Sequence, residues 1–134
     1  MKSPRKPKTA KAYAEFKKLR LAKTGRTDYL DLKDETVVKE YTHWLIILNR
    51  FPYDAMTSVN HMLVPRRTFE DYYKANEDER KEYQKIIKEL AADDYYDAIV
   101  ENFPRSRSIS RHNHVHLVRW KYNDDDGKNK SDIP

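Results

Sequence analysis

The chain has 134 residues, 37% of them charged, with a mean hydropathy of −1.04. That size suits one domain with a modest core, and no apolar run approaches the ~18 residues of a membrane span or the apolar stretch of a signal peptide. Without cysteine there is neither a disulfide framework nor a thiolate metal site, so the expectation is a soluble, cytoplasmic domain with no membrane partner.

The net charge of +5 is unevenly spread. Residues 1–28 carry ten Lys and Arg against Glu15 and Asp28, a balance of +8 that leaves −3 for the remainder. Positions 1–9, "MKSPRKPKT", show no apolar period and predict a disordered basic arm. Tyr13, Phe16, Leu19 and Leu21 then fall roughly at helical spacing, predicting a basic amphipathic helix from Ala10 to about Lys23 within a 10–28 segment. Gly25 is its stop. A basic segment over residues 1–28 can hold nucleic acid, although an RNP, zinc-finger or leucine-zipper pattern is absent.

"TVVKEY" and "HWLIILNRF" predict two strands, the second buried on both faces because it is nearly all apolar. "FPYD" ends it with a proline turn, and "DAMTSV" lengthens that turn before "HMLV" (His61–Val64), a short apolar run stopped by Pro65. A long helical region starts near Thr68, with Glu70 and Asp71 behind it, and Tyr83, Ile86, Ile87 and Leu90 form its apolar stripe. "ANEDERKEYQKIIKEL" reads as the solvated face of that helix. "YDAIVEN" continues the helix or becomes a strand; periodicity does not choose. "RHNHVHLVRW" alternates as a strand, and residues 123–134 form a polar tail expected to be disordered. The element order suggests a single antiparallel α+β domain over residues 10–122.

His112, His114 and His116 stand at alternate positions in a chain with five histidines. On a strand they share one face, with Val115 and Leu117 opposite. A lone histidine would read as a hydrogen-bonded polar residue, and His43 reads so. Three in alternation weaken that reading. At about 3.3 Å per residue, His112 and His116 have backbones roughly 13 Å apart, too far for three ligands converging on zinc at about 2.0–2.1 Å. Two of them with His61 could still hold zinc or another divalent metal. Catalysis accounts for the row more naturally. Neutral imidazole can attack phosphorus, and neighbouring donors can balance charge on phosphate oxygens without a required cofactor.

"HNHVHLV" resembles the His-φ-His-φ-His-φ-φ pattern of the histidine-triad (HIT-like) family of nucleotide hydrolases and transferases. "WLIILNRFPYDAMTSVNHMLVPRR", Trp44–Arg67, is similar to that superfamily's upstream strand–turn–strand, and the spacing from the Asn to His61 has some likeness to its galactose-1-phosphate uridylyltransferase side. The resemblance covers about Tyr41 to Trp120. It implies a HIT-like antiparallel sheet with a long helix between the His61 strand and the triad strand, here preceded by an N-terminal basic helix. It further implies that His114 is the nucleophile, forming a covalent nucleotidyl-histidine. His116 would contact phosphate oxygens or the leaving group. His112 and His61 would complete the pocket and hold the nucleophile's tautomer. Asn49 would lie near the ribose, Ser108 and less directly Ser110 near the phosphates, and residues Trp44–Ile47 would line a base pocket or simply form core. Family members often pair as homodimers.

Three departures stand out. Asn113 occupies an apolar position. Asn60 replaces a Gly, which is tolerable if that position needs φ > 0. The turn before His61 is longer. The expected function is cleavage or transfer at the α-phosphorus of a nucleoside phosphoramidate or dinucleoside polyphosphate. The alternatives are a non-catalytic nucleotide- or RNA-binding module using residues 1–28 and a metal-dependent hydrolase using the histidine cluster.

Overall fold

The computed structural model describes residues 3–28 and 30–125. Its first helix, α1, spans Pro7–Thr24, ahead of the predicted start at Ala10. A proline in the first turn lacks an N–H that would be unpaired there anyway. Gly25 ends the helix as expected, at φ 74°, where its N–H bonds to the Leu21 carbonyl. Of the predicted apolar stripe, Tyr13 and Phe16 face the body, each ring 5.0 Å from that of Phe51. Leu19 and Leu21 are exposed, and α1 buries no residue completely.

The expectation of disorder over residues 1–9 is corrected from Ser3 onward; Met1 and Lys2 lie outside the described residues. Arg5 Nε donates to the Phe51 carbonyl at 2.6 Å, and the Ala55 N–H donates to the Pro4 carbonyl at 3.0 Å. Asp54 acts as a borrowed cap for α1. Its carboxylate accepts from the Lys6 N–H at 2.8 Å and from the Thr9 hydroxyl at 2.5 Å. It also sets a negative charge at the helix's positive end. No local periodicity announces such a long-range tether. Asp54→Ala should weaken the docking of α1 by about 1 kcal/mol, the worth of a cap, which is roughly fivefold faster amide exchange in its first turns. Unchanged exchange there would reject the capping role.

The strands are β1 (Val37–Glu40), β2 (Trp44–Leu48), β3 (Thr57–Pro65), β4 (Ala98–Val100) and β5 (Val115–Trp120). They form one antiparallel sheet in the order β1-β2-β3-β5-β4, giving the expected α+β class. β2 is buried over Trp44–Ile47, as its apolar run predicts, and β1 is an exposed edge strand. Segment 57–59, expected in the turn, belongs to β3. Thr57 is buried, and its hydroxyl bonds to the Tyr53 carbonyl at 2.9 Å. "YDAIVEN" resolves to the short edge strand β4.

Helix α2 (Glu77–Asp93) starts well after Thr68. Asn76 and Glu79 form a reciprocal capping box, a stronger start than Thr68 offers. Glu79 is also ion-paired to Arg67 at 2.8 Å, and its carbonyl accepts from Trp44 Nε1 at 2.9 Å. At the C-terminus, residues 121–125 form α3 (Lys121–Asp125), correcting the predicted tail over 123–125; residues 126–134 lie outside the described ones. Asp124 anchors this turn through Ser58 and through Arg119 at 2.8 Å.

Two core clusters lie on opposite faces of the sheet. Trp44, Ile46, Leu63, Val115 and Leu117 pack with Ile86 of α2. Leu45, Ile47, Met62 and Val64 pack with Leu30, with Leu32 and Ile109 against them. Residues Trp44–Ile47 are thus plain core, divided between the two faces. No helix of the described residues is long and apolar enough to cross a membrane.

Candidate active site

The face of each histidine follows from strand parity and register. His116 stands opposite Met62, so it points to the Met62 side of the sheet. His61 stands opposite Leu117, on the α2 side. There its Nδ1 meets the Tyr96 hydroxyl at 2.6 Å. The structure therefore does not bring His61 to the triad, because one residue of offset along β3 reverses the face. Among the described residues no three His, Cys, Asp or Glu side chains converge as a metal-holding group.

The triad is also not one continuous strand face. β5 begins at Val115, so only His116 has regular strand geometry, and His112–His114 form the irregular approach to it. Here the Asn113 N–H donates to the Phe69 carbonyl at 2.6 Å, a contact outside the sheet ladder. That side of the chain packs inward, and Asn113 is buried as its position required. His112 is turned away: its Nε2–H donates to the Pro65 carbonyl at 2.8 Å, while its buried Nδ1 has no partner among the described residues.

His114 and His116 line a cleft together with Asn49, Tyr53 and Ser108, and their rings stand 5.4 Å apart. His114 Nδ1 lies 2.9 Å from the His112 carbonyl. A carbonyl only accepts, so Nδ1 carries the proton and Nε2 keeps its lone pair. That Nε2 makes no hydrogen bond among the described residues. His112 fixes the His114 tautomer through its backbone oxygen and not its ring. Burial holds the His114 pKa below the usual value; the bond to His112 opposes the shift, and His112 and Arg107 charge add to it.

The tautomer of His116 is fixed by Asn60. The Asn60 amide orientation is unambiguous, because its Oδ1 accepts from the Tyr53 N–H at 3.0 Å. The same oxygen accepts from Asn49 Nδ2 at 3.1 Å. Asn60 Nδ2 then donates to the His61 carbonyl at 3.1 Å and to His116 Nδ1 at 3.0 Å. His116 Nδ1 is an acceptor, so Nε2 carries the proton and donates to the Tyr53 hydroxyl at 3.2 Å. Burial, then the neighbouring His114 and Arg5, lowers the His116 pKa to about 3. Asn60 does not supply a positive φ in place of glycine; among the described non-glycine residues only Asp94 has one. It is the hub of the network.

Both His116 nitrogens are thus committed within the protein. The Tyr53 hydroxyl accepts from His116 and from Asn102 Nδ2 at 2.9 Å, so its own proton is left to donate into the site. Sequence reasoning singled out neither Tyr53 nor Asn102 as functional. The Asn-x-Phe-Pro-Tyr turn contained the signal for Tyr53; for Asn102 nothing local did.

Asn49 lines the cleft, but both ends of its amide are engaged, Nδ2 by Asn60 and Oδ1 by the Phe51 N–H at 3.0 Å. Ser108 lines the cleft, whereas Ser110 is exposed outside it. The outer wall is α1 and the segment before it. Arg5 lies over the Tyr13 and Tyr53 rings at 4.4 and 4.9 Å, and Arg50 over Phe16 at 4.7 Å. Arg50 also pairs with Glu35 at 2.9 Å, and burial raises the Glu35 pKa against that pairing. The basic segment therefore covers the histidines instead of extending into solvent. This arrangement presents one unprotonated imidazole nitrogen, hydroxyl donors and guanidinium charge to a single cleft, which suits attack on an anionic phosphorus centre.

No protein-family model and no curated protein matches the chain. Among solved structures the chain is similar to a HIT family hydrolase from Legionella pneumophila Philadelphia 1. The two are 18% identical, with a TM-score of 0.49, over 75% of this chain and 88% of that one.

Proposed function

We propose that this protein is a histidine-triad-like enzyme that cleaves or transfers at the α-phosphorus of a nucleotide conjugate, with His114 as nucleophile. The observation that carries the reading is the His114 tautomer: Nδ1–H is tied to the His112 carbonyl and the lone pair of Nε2 is unengaged at the cleft. Nε2 bonds to phosphorus as the bond to the leaving group breaks, and the leaving group takes a proton from solvent. Water then adds to phosphorus, releases His114 and returns a proton, so one water is consumed per turnover. Ser108, Tyr53 and Arg5 line the cleft and would donate to phosphate oxygens.

The cleft encloses about 40 Å³, well short of the roughly 300 Å³ at the low end of ligand sites. A nucleotide would therefore need α1, which buries no residue completely, to move aside. Incubation with adenosine 5′-phosphoramidate should give a nucleotidyl adduct on His114 detectable by mass spectrometry. His114→Ala should reduce turnover by a factor of about 10³ or more, the scale of losing a covalent nucleophile. Full turnover by that variant would sink the assignment.

A second reading is favoured by the alternation of Arg5, Lys17 and Arg50 with Tyr13, Phe16 and Phe51 around the cleft. It is a non-catalytic nucleotide- or RNA-binding module, and it predicts binding that falls steeply with salt and no turnover of any conjugate.

A further inference from the structure

The Tyr53 hydroxyl differs from the other donors that line the His114 cleft. Its oxygen already accepts from His116 Nε2–H at 3.2 Å and from Asn102 Nδ2 at 2.9 Å. Both acceptor directions are filled, and the direction left is that of its own proton. The side chain is buried in the wall that it shares with His114, and Arg5 lies 4.9 Å over its ring. Two N–H donors on the oxygen and a guanidinium charge over the ring would stabilise negative charge as it develops there.

The other donors are less suited to give a proton away. His116 carries one, on Nε2, and losing it would leave an imidazolate. Burial lowers its pKa to about 3, so a second proton is not on the ring near neutral pH. The Arg5 guanidinium does not deprotonate. Ser108 lines the cleft, but among the described residues no N–H is bonded to its oxygen.

We propose that Tyr53 is the general acid of this site, with His116 and Asn102 holding the phenolate left behind. The inference rests on the phosphoryl-transfer reading, and it moves to Tyr53 the leaving-group contact that the resemblance implies for His116. As His114 Nε2 bonds to phosphorus, the bond to the leaving group breaks and the leaving atom takes the Tyr53 proton. The adduct is then a cation on His114, tied through Nδ1–H to the His112 carbonyl, and the phenolate in the same cleft offsets its charge. Water next adds to phosphorus, the bond to His114 breaks, and Tyr53 takes back a proton from that water. One water is consumed per turnover, with Tyr53 in place of solvent at both transfers.

Two nucleotide conjugates separate an acid from a positioning group. The nitrogen of adenosine 5′-phosphoramidate must gain a proton to leave. The 4-nitrophenyl ester of adenosine 5′-monophosphate loses nitrophenolate without one. On the full chain, mass spectrometry of the His114 adduct and the burst of nitrophenolate read the first step. Tyr53→Phe should slow that step about a hundredfold for the phosphoramidate, the low end of general-acid catalysis, and at least about tenfold less for the ester. Asn102→Ala keeps the hydroxyl and its His116 contact but removes one donor from the oxygen. It should show the same split at smaller size, and it decides alone if Tyr53→Phe does not fold. Equal slowing of both conjugates, or no slowing for the phosphoramidate, overturns the proposal and leaves the nucleophile assignment standing. Wild-type protein that forms no His114 adduct with either conjugate overturns the phosphoryl-transfer reading, and the general acid with it.

Discussion

Asn60→Asp should move a proton onto Nδ1 of His116, and Asn60→Ala should lower stability by roughly 3–5 kcal/mol. Asn60 is almost fully buried, and its amide makes four hydrogen bonds, to Tyr53, Asn49, His61 and His116. Truncation to Ala leaves the Tyr53 N–H and the Asn49 amide without their acceptor. Each buried unpaired group costs about 1–3 kcal/mol. Aspartate keeps the acceptor for both but has no donor for His116. The ring must then protonate Nδ1, either by changing tautomer or by becoming imidazolium beside the new carboxylate. Nitrogen-15 shifts of the His116 ring distinguish these states from the wild-type Nε2–H form. Chemical denaturation measures the Ala variant. An unchanged His116 tautomer in Asn60→Asp would show that Asn60 does not set it.

Acid should destabilise this protein from about pH 6.5 downwards. His61, His112, His114 and His116 all have pKa values lowered by burial, His116 to about 3. In the unfolded chain each titrates near 6.5. Below that pH the unfolded state binds protons that the folded state refuses, so stability falls as pH falls. The contribution is fully present above about 6.5 and, for His116, continues to be lost down to about 3. For His116 the refused proton gives a slope approaching about 1.4 kcal/mol per pH unit between about pH 6.5 and about 3, and the lowered values of the other three act in the same direction. That loss is a substantial share of the about 5–15 kcal/mol that stabilises a domain. Urea unfolding at pH 7, 6 and 5 measures the slope, and equal stability at all three would refute the account. The same burial holds the His114 pKa below its usual value, so the acid limb of any activity profile should lie below about pH 6.5.

The sequence carries its fold class through periodicities that are local. The apolar run Trp44–Leu48 can only be a buried strand, and the stripe Tyr83–Ile86–Ile87–Leu90 can only be a helix packed on one side. Gly25 stops α1 because a left-handed residue is needed there. Where local signals compete, the boundaries shift. Asn76 with Glu79 outdoes Thr68 as the start of α2, since the capping box satisfies two backbone donors reciprocally. Residues 57–59 looked like turn because no apolar run marks them, yet pairing with β5 extends β3 through them.

Of the site, the sequence by itself determined that His114 and His116 lie close together and that the chain turns between Asn49 and Tyr53. It could not determine which sheet face each histidine takes. Alternation orders residues within one strand, but the register between β3 and β5 decides that His116 faces the cleft while His61 faces α2. It could not show that β5 begins only at Val115, which leaves His112 free to turn towards Pro65. The tautomers of His114 and His116, the Tyr53 proton and the covering of the cleft by α1 were decided by tertiary structure alone. Most depend on hydrogen bonds between distant parts of the chain, such as Asn60 to His116 and Lys6 to Asp54. Local sequence sets what each segment prefers; only the assembled sheet sets which donor meets which acceptor.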